Sequence, residues 1–133
     1  MSNVQEIRVI IAGSRHVTDY QALKNAMNRI FRERDTRNLT VISGTASGAD
    51  QLGEAFAKRN HLKLCRFPAN WKAYGRAAGP MRNEEMARFA VSDGCTGILV
   101  ALWDGKSPGT RNMISTARKY GLEVHVIHVG SEK

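Results

Sequence analysis

Ten residues, VISGTASGAD from Val41 to Asp50, run from branched apolar side chains straight into small ones. Glycine loses more conformational freedom on folding than any other residue, so two glycines beside an apolar run imply a close approach to the backbone. Runs of the same type recur at Gly13 to Arg15 (GSR), at GRAAGPMRN ending on Asn83, and at WDGKSPGT from Trp103 to Thr110. Backbone amides, hydroxyls and guanidiniums in this combination are the equipment that holds phosphate. The candidate contact residues are Gly13, Ser14 and Arg15; Gly44, Thr45, Ser47, Gly48 and Asp50; Trp71, Tyr74, Arg82 and Asn83; and Ser107, Gly109 and Thr110.

Each run also has a purely structural reading. Asp50 reaching back toward Ser47 makes a capping box without any ligand. Gly44 serves the turn out of a strand, and Ser107 with Pro108 caps a helix. Arg15 and Arg82 can be surface ion pairs, and Trp71 and Tyr74 can be core or lid packing. What favours a ligand is that several such runs recur at equivalent places in the fold pattern.

That pattern is an alternation. IRVIIAG (Ile7 to Gly13), LTVIS (Leu39 to Ser43), LKLCRF (Leu62 to Phe67), GILVAL (Gly97 to Leu102) and EVHVIHV read as strands. Between them, TDYQALKNAMNRIFRER carries Leu23, Met27, Ile30 and Phe31 at helical spacing, with Thr18 or Asp19 as cap. GADQLGEAFAKRN places Leu52, Ala55 and Phe56 on one face, and PMRNEEMARFA, begun by Pro80, places Met86, Phe89 and Ala90 inward. SPGTRNMISTARKYG has Pro108 at its first position and Gly121 just past its end. PANWKAYGRAAG is a longer, less regular connection. Alternating strands and helices give an α/β, three-layer Rossmann-like domain, with a mainly parallel five-stranded sheet and helices on both faces. Ligands of such sheets bind at the carboxyl edge of the strands, where strand order reverses and helix amino ends converge. The small-residue runs all fall on that edge.

Composition sets the outer limits. The 133 residues suit a single domain spanning the chain, 42% hydrophobic and 24% charged. A net charge of +8 and a pI near 10 favour phosphate-bearing or polyanionic partners. No apolar stretch is long enough to span a bilayer, and MSNVQEIRVI lacks a signal-peptide layout, so no membrane and a cytoplasmic location are expected. Cys65 and Cys95 form no Cys-x-x-Cys pair and read as reduced, mostly buried thiols. His16, His61, His125 and His128 have no metal-ligand spacing, so no metal and no cofactor are expected. There is no P-loop, no G-x-G-x-x-G after the first strand and no G-x-S-x-G elbow.

VIIAGSR, VISGTASGAD, PANWKAYGRAAGPMRNEEM and LWDGKSPGTRNMI together resemble the YspA-type branch of the SLOG superfamily. The resemblance implies a Rossmann-like domain that binds nucleotides or nucleotide-derived ligands, in proteins common in bacterial and phage genomes. Its relatives include the LOG phosphoribohydrolases, the DNA-processing protein A group and sensor domains for ADP-ribose-like signals. Arg82 falls on an arginine of the LOG enzymes, and GKSPGTRNM matches part of their P-G-G-x-G-T-x-x-E motif through Gly109 and Thr110. Met113 stands where that motif has glutamate, and a thioether cannot carry the negative charge that supports an oxocarbenium-like transition state. Self-association as a homodimer is a further implication.

The leading expectation is a sensor or sequestering module for a small ligand of the AMP, ADP-ribose or NAD kind. Phosphate would rest on Gly44 to Gly48 and Ser107 to Thr110, with Arg82 and Arg15 as clamps. Asp50 would accept from a ribose hydroxyl and Trp71 or Tyr74 would cover the base. The alternatives are an N-glycosidic hydrolase, with Arg82 and Asp104 as catalytic candidates and Asp50 and Glu84 behind them, and a single-stranded nucleic-acid binder.

Overall fold

A computed structural model describes residues 5–130. Five strands, β1 (Ile7–Gly13), β2 (Leu39–Ser43), β3 (Lys63–Arg66), β4 (Thr96–Trp103) and β5 (Glu123–His128), form one sheet in the order β3-β2-β1-β4-β5. Every pairing is parallel, with Ile7 facing Leu39 on one side and Thr96 on the other. The chain thus winds outward in both directions from β1, and strand order reverses between β1 and β4.

Parallel strands buried on both faces read as continuous apolar runs because successive side chains serve opposite layers. In β1, Val9 and Ile11 pack toward helices α1 (Tyr20–Ile30) and α2 (Ala49–Arg59). Ile10 and Ala12 pack toward α4 (Ala78–Ala90) and α5 (Pro108–Lys119). Leu23, Met27 and Phe56 close the first layer, and Met86, Ala90, Met113 and Ile114 close the second.

The expected fold holds, with local revisions. Asp19, not Thr18, caps α1, its carboxylate accepting from the Ala22 amide at 3.2 Å. On α2, Gly53 and Ala57 take the inner face with Phe56, whereas Ala55 is only half-buried. Between β3 and α4, the stretch expected to be irregular forms a short helix α3 (Trp71–Tyr74) and a 3₁₀ turn (Gly75–Ala77). These run directly into α4, so Pro80 is that helix's third residue rather than its first; the first turn tolerates proline because the N–H it lacks is one that needs no partner within the helix. Cys95 is buried, Cys65 half-buried, and both are free thiols. Among the described residues no helix is long and apolar enough to cross a membrane.

Candidate ligand-binding site

All the β-to-α connections leave the sheet at one edge because every strand points the same way. Those after β1, β2, β3 and β4 surround one cavity of about 780 Å³. Its wall includes Gly13, Ser14, Arg15, Asp50, Trp71, Arg82, Asn83, Asp104, Ser107, Gly109 and Thr110. Most of the residues picked from sequence therefore meet. Gly44, Thr45, Ser47, Gly48 and Tyr74 do not line it.

The β1 and β4 connections are braced together. Ser14 is 1% exposed, and its hydroxyl sits 3.0 Å from that of Ser107 while accepting from the Asp104 amide at 3.2 Å. Asp104 accepts from the amides of Ser107 and Lys106 at 2.9 and 2.8 Å and from the Ser107 hydroxyl at 3.1 Å. These donors, the Ser107 amide foremost, hold the Asp104 carboxyl well below the usual carboxylate range. Asp104 is accordingly a fixed anion that ties a turn. The Ser107 hydroxyl is spent on this brace and makes no capping bond to α5. His16 completes the corner, its Nε2 3.6 Å from Asp104 Oδ2.

The β2 connection is built differently. A Cβ on Gly44 would lie 2.7 Å from Arg82 Nη1 and 2.9 Å from Asp50 Oδ2. The group that needs this glycine bare is therefore the Arg82 guanidinium, which donates to the Gly44 carbonyl from Nη1. Gly48 has φ +75°, and a side chain there would run into the carbonyls of Ser14 and Arg15. Asp50 accepts from the Ala46 amide at 3.0 Å, not from Ser47, so the expected capping box is absent. Ser43 takes part instead, donating to Glu54 at 2.7 Å and accepting from the Thr45 amide at 3.0 Å. Thr45 and Ser47 turn to solvent. Within this run only Ala46 and Asp50 reach the cavity wall; the space over Gly44 is taken by Arg82 and Asp50, and that over Gly48 by the Ser14 and Arg15 carbonyls.

Asp50 is 6% exposed, and burial pushes its carboxyl up to about 6, against the pull of the Ala46 amide and of Arg82. The cavity wall therefore holds two carboxyls shifted in opposite directions, one held ionised by its donors and one raised toward neutrality by burial.

Arg82 is no surface ion pair. Besides Gly44 it donates from Nε to Asn83 Oδ1 at 3.0 Å. Trp71 is half exposed and its ring edge lies over Gly79, where a Cβ would come within 3.2 Å of Cη2. Tyr74, 52% exposed, stands outside the cavity.

The sequence reading missed Ala12, His16, Ala46, Arg76, Gly79, Pro80, Met86, Pro108 and Asn112 as wall residues. It gave Met113 a core role. Met113 is 1% exposed, part of the apolar core, and also forms cavity floor. Helical spacing was the available signal. Met86 lies one turn after Arg82, Gly79 one turn before Asn83, and Asn112 and Met113 one turn after Gly109.

Comparison with known proteins adds the family. The family model described as YspA, cpYpsA-related SLOG family matches residues 7–74, from β1 through α3. The chain is also 32% identical over 126 residues to the Gene 61 protein of Mycobacterium phage D29, covering 88% of this chain and 93% of that one. No solved structure matches. With a model matching half its length and a relative aligned almost end to end, the chain belongs to the YspA, cpYpsA-related SLOG family.

Proposed function

We propose that the cavity at the carboxyl edge binds a phosphate-bearing nucleotide or nucleotide derivative of the AMP, ADP-ribose or NAD kind. The observation that carries this reading is the amino end of α5. Pro108 occupies the first helical position, and a Cβ on Gly109 would meet nothing within 4 Å. Thr110 is 5% exposed and lines the cavity, yet its hydroxyl has no hydrogen-bond partner among the described residues. First-turn amides without helical partners, the positive end of the helix dipole and a free hydroxyl are a set of donors aimed at an anion. Apolar wall at Trp71, Gly79, Pro80, Met86 and Met113 gives a flat base a place out of water.

AMP, ADP-ribose and NAD at millimolar concentration test this by thermal unfolding. A ligand at about 100 times its Kd adds about 2.7 kcal/mol, worth about 10 °C in a domain of this size. Thr110→Val is expected to weaken binding about tenfold, as loss of one hydrogen bond to a charged group does, without lowering the unliganded Tm by more than about 2 °C. Failure of all three ligands to raise Tm would refute the proposal.

A second reading, cleavage of the N-glycosidic bond, is favoured by the two carboxyls. Paired carboxyls pushed apart in pKa are how hydrolytic sites divide acid and anion roles. Here Asp50 is the group able to donate a proton near pH 6 and Asp104 the standing negative charge. Chromatography of AMP or NAD after incubation decides: free base released by the wild type and abolished in Asp50→Asn supports cleavage, and its absence leaves binding alone.

A further inference from the structure

Arg82, Asn83 and Asn112 form a line of side-chain hydrogen bonds between α4 and α5. Arg82 Nε donates to Asn83 Oδ1 at 3.0 Å, and Asn83 Nδ2 donates to Asn112 Oδ1 at 2.9 Å. The same Asn83 Nδ2 lies 3.4 Å from the Gly109 carbonyl oxygen. A carboxamide has a donor end and an acceptor end of nearly the same shape, so its neighbours decide which way round it sits. Both flanking partners of Asn83 are of one kind only. A guanidinium N–H can only donate, and a carbonyl oxygen can only accept. Asn83 is therefore held one way round, presenting N–H to Asn112, and Asn112 must answer with its oxygen.

The consequence falls on the other end of Asn112. This residue is half-buried, lines the cavity, and its Nδ2 has no hydrogen-bond partner among the described residues. Helical side chains lean toward the amino end, which sets the Asn112 amide over the turn of Gly109, as their shared partner Asn83 shows. We propose that Arg82, acting through Asn83, fixes Asn112 as a one-way hydrogen-bond donor, and that Asn112 thereby selects ligands presenting an unprotonated phosphate oxygen beside α5. This rests on the binding reading above. It makes Arg82 a positioning residue and Asn112 the ligand-touching one. Free amides, the Thr110 hydroxyl and this NH₂ then form a cluster in which no group is obliged to accept, so an ionised phosphate satisfies it and an ammonium does not.

Side-chain amide exchange in ¹⁵N-labelled protein, with AMP and adenosine as probes, tests both halves. In the free protein the Asn83 amide protons are expected to exchange slowly and those of Asn112 fast; Arg82→Met should cut the Asn83 protection at least tenfold and Arg82→Lys less. AMP should slow and shift the Asn112 amide, and Asn112→Leu, or Asn112→Ser if the first does not fold, should weaken AMP about tenfold while leaving adenosine unchanged. An Asn112 amide already protected without ligand, or AMP affinity within twofold of wild type in either variant, overturns the proposal. Where wild type does not bind AMP, ADP-ribose or NAD replaces it as probe; if none of the three binds, the binding reading falls with this one, whereas unchanged affinity in the variants removes only the role of Asn112.

Discussion

The connections after β2 and after β4 look alike as text: small residues, hydroxyls, two glycines and an aspartate each. In space they do opposite things. After β2, Gly44 is covered by the Arg82 guanidinium, Gly48 by the Ser14 and Arg15 carbonyls, and Asp50 is turned back to the Ala46 amide. After β4, Asp104 and Ser107 brace the turn, which leaves Gly109 in open space and the Thr110 hydroxyl free. Bare backbone in the first is consumed by internal packing. In the second it is left over. Glycine and hydroxyl content reports only that something comes close, and the identity of that something depends on which loop a neighbouring helix has reached.

The sharpest way to break this contrast is to put side chains on both loops. Gly48→Val adds a β-branched residue at φ +75° and drives it into two carbonyls. It should lose about 3 kcal/mol or more in chemical denaturation, or prevent folding. An unchanged midpoint would mean the β2 connection is not packed as described.

A slightly smaller effect separates the two aspartates. Burial raises the Asp50 carboxyl to about 6, so its neutral form is the one the fold favours. That contribution is complete below the unfolded value near 4 and is lost as pH rises through 6, a difference of about 3 kcal/mol for two pH units. Denaturant unfolding of wild type and Asp50→Asn should therefore diverge between pH 4 and pH 7, the wild type losing ground relative to the variant. Asp104, held ionised by its donors, has the opposite sign: its contribution is present at neutral pH and lost on acidification. A wild-type-minus-Asp50→Asn difference that is flat with pH would place Asp50 in water rather than in the wall.

The smallest effect belongs to Gly109. Its added methyl meets nothing within 4 Å, so Gly109→Ala should change stability by less than about 0.5 kcal/mol, or raise it slightly through helix propensity. Under the proposed binding mode AMP affinity should nonetheless fall, because the added methyl would occupy open space that a phosphate at the amino end of α5 would need. A variant that loses stability without losing affinity would reverse the assignment of roles to the two connections.

How far the sequence could be read differs between fold and site. Strands β1 and β2 fall at the residues their apolar runs mark, and Pro108 and Gly121 bracket α5 as helix-end chemistry requires. Such features are local, since they depend on what one side chain does to its own backbone or on which layer alternate residues face. The gathering of the connections at one edge follows too, because parallel strands can send their carboxyl ends nowhere else.

Partnership was not legible. Nothing in GPMRNEEM says that Arg82 will lie against Gly44, 38 residues away, or that Asn83 will turn Asn112. Nothing in GTASGAD says that Asp50 will be buried, or that it will answer the Ala46 amide rather than that of Ser47. The sequence alone determined the strands, the longer helices, their order along the chain and the edge at which the connections gather. Only the tertiary structure decided which glycines remain bare and which carboxyl is pushed up by burial. Those outcomes depend on burial and on long-range hydrogen bonds, both of which exist only once α4 and α5 have packed side by side.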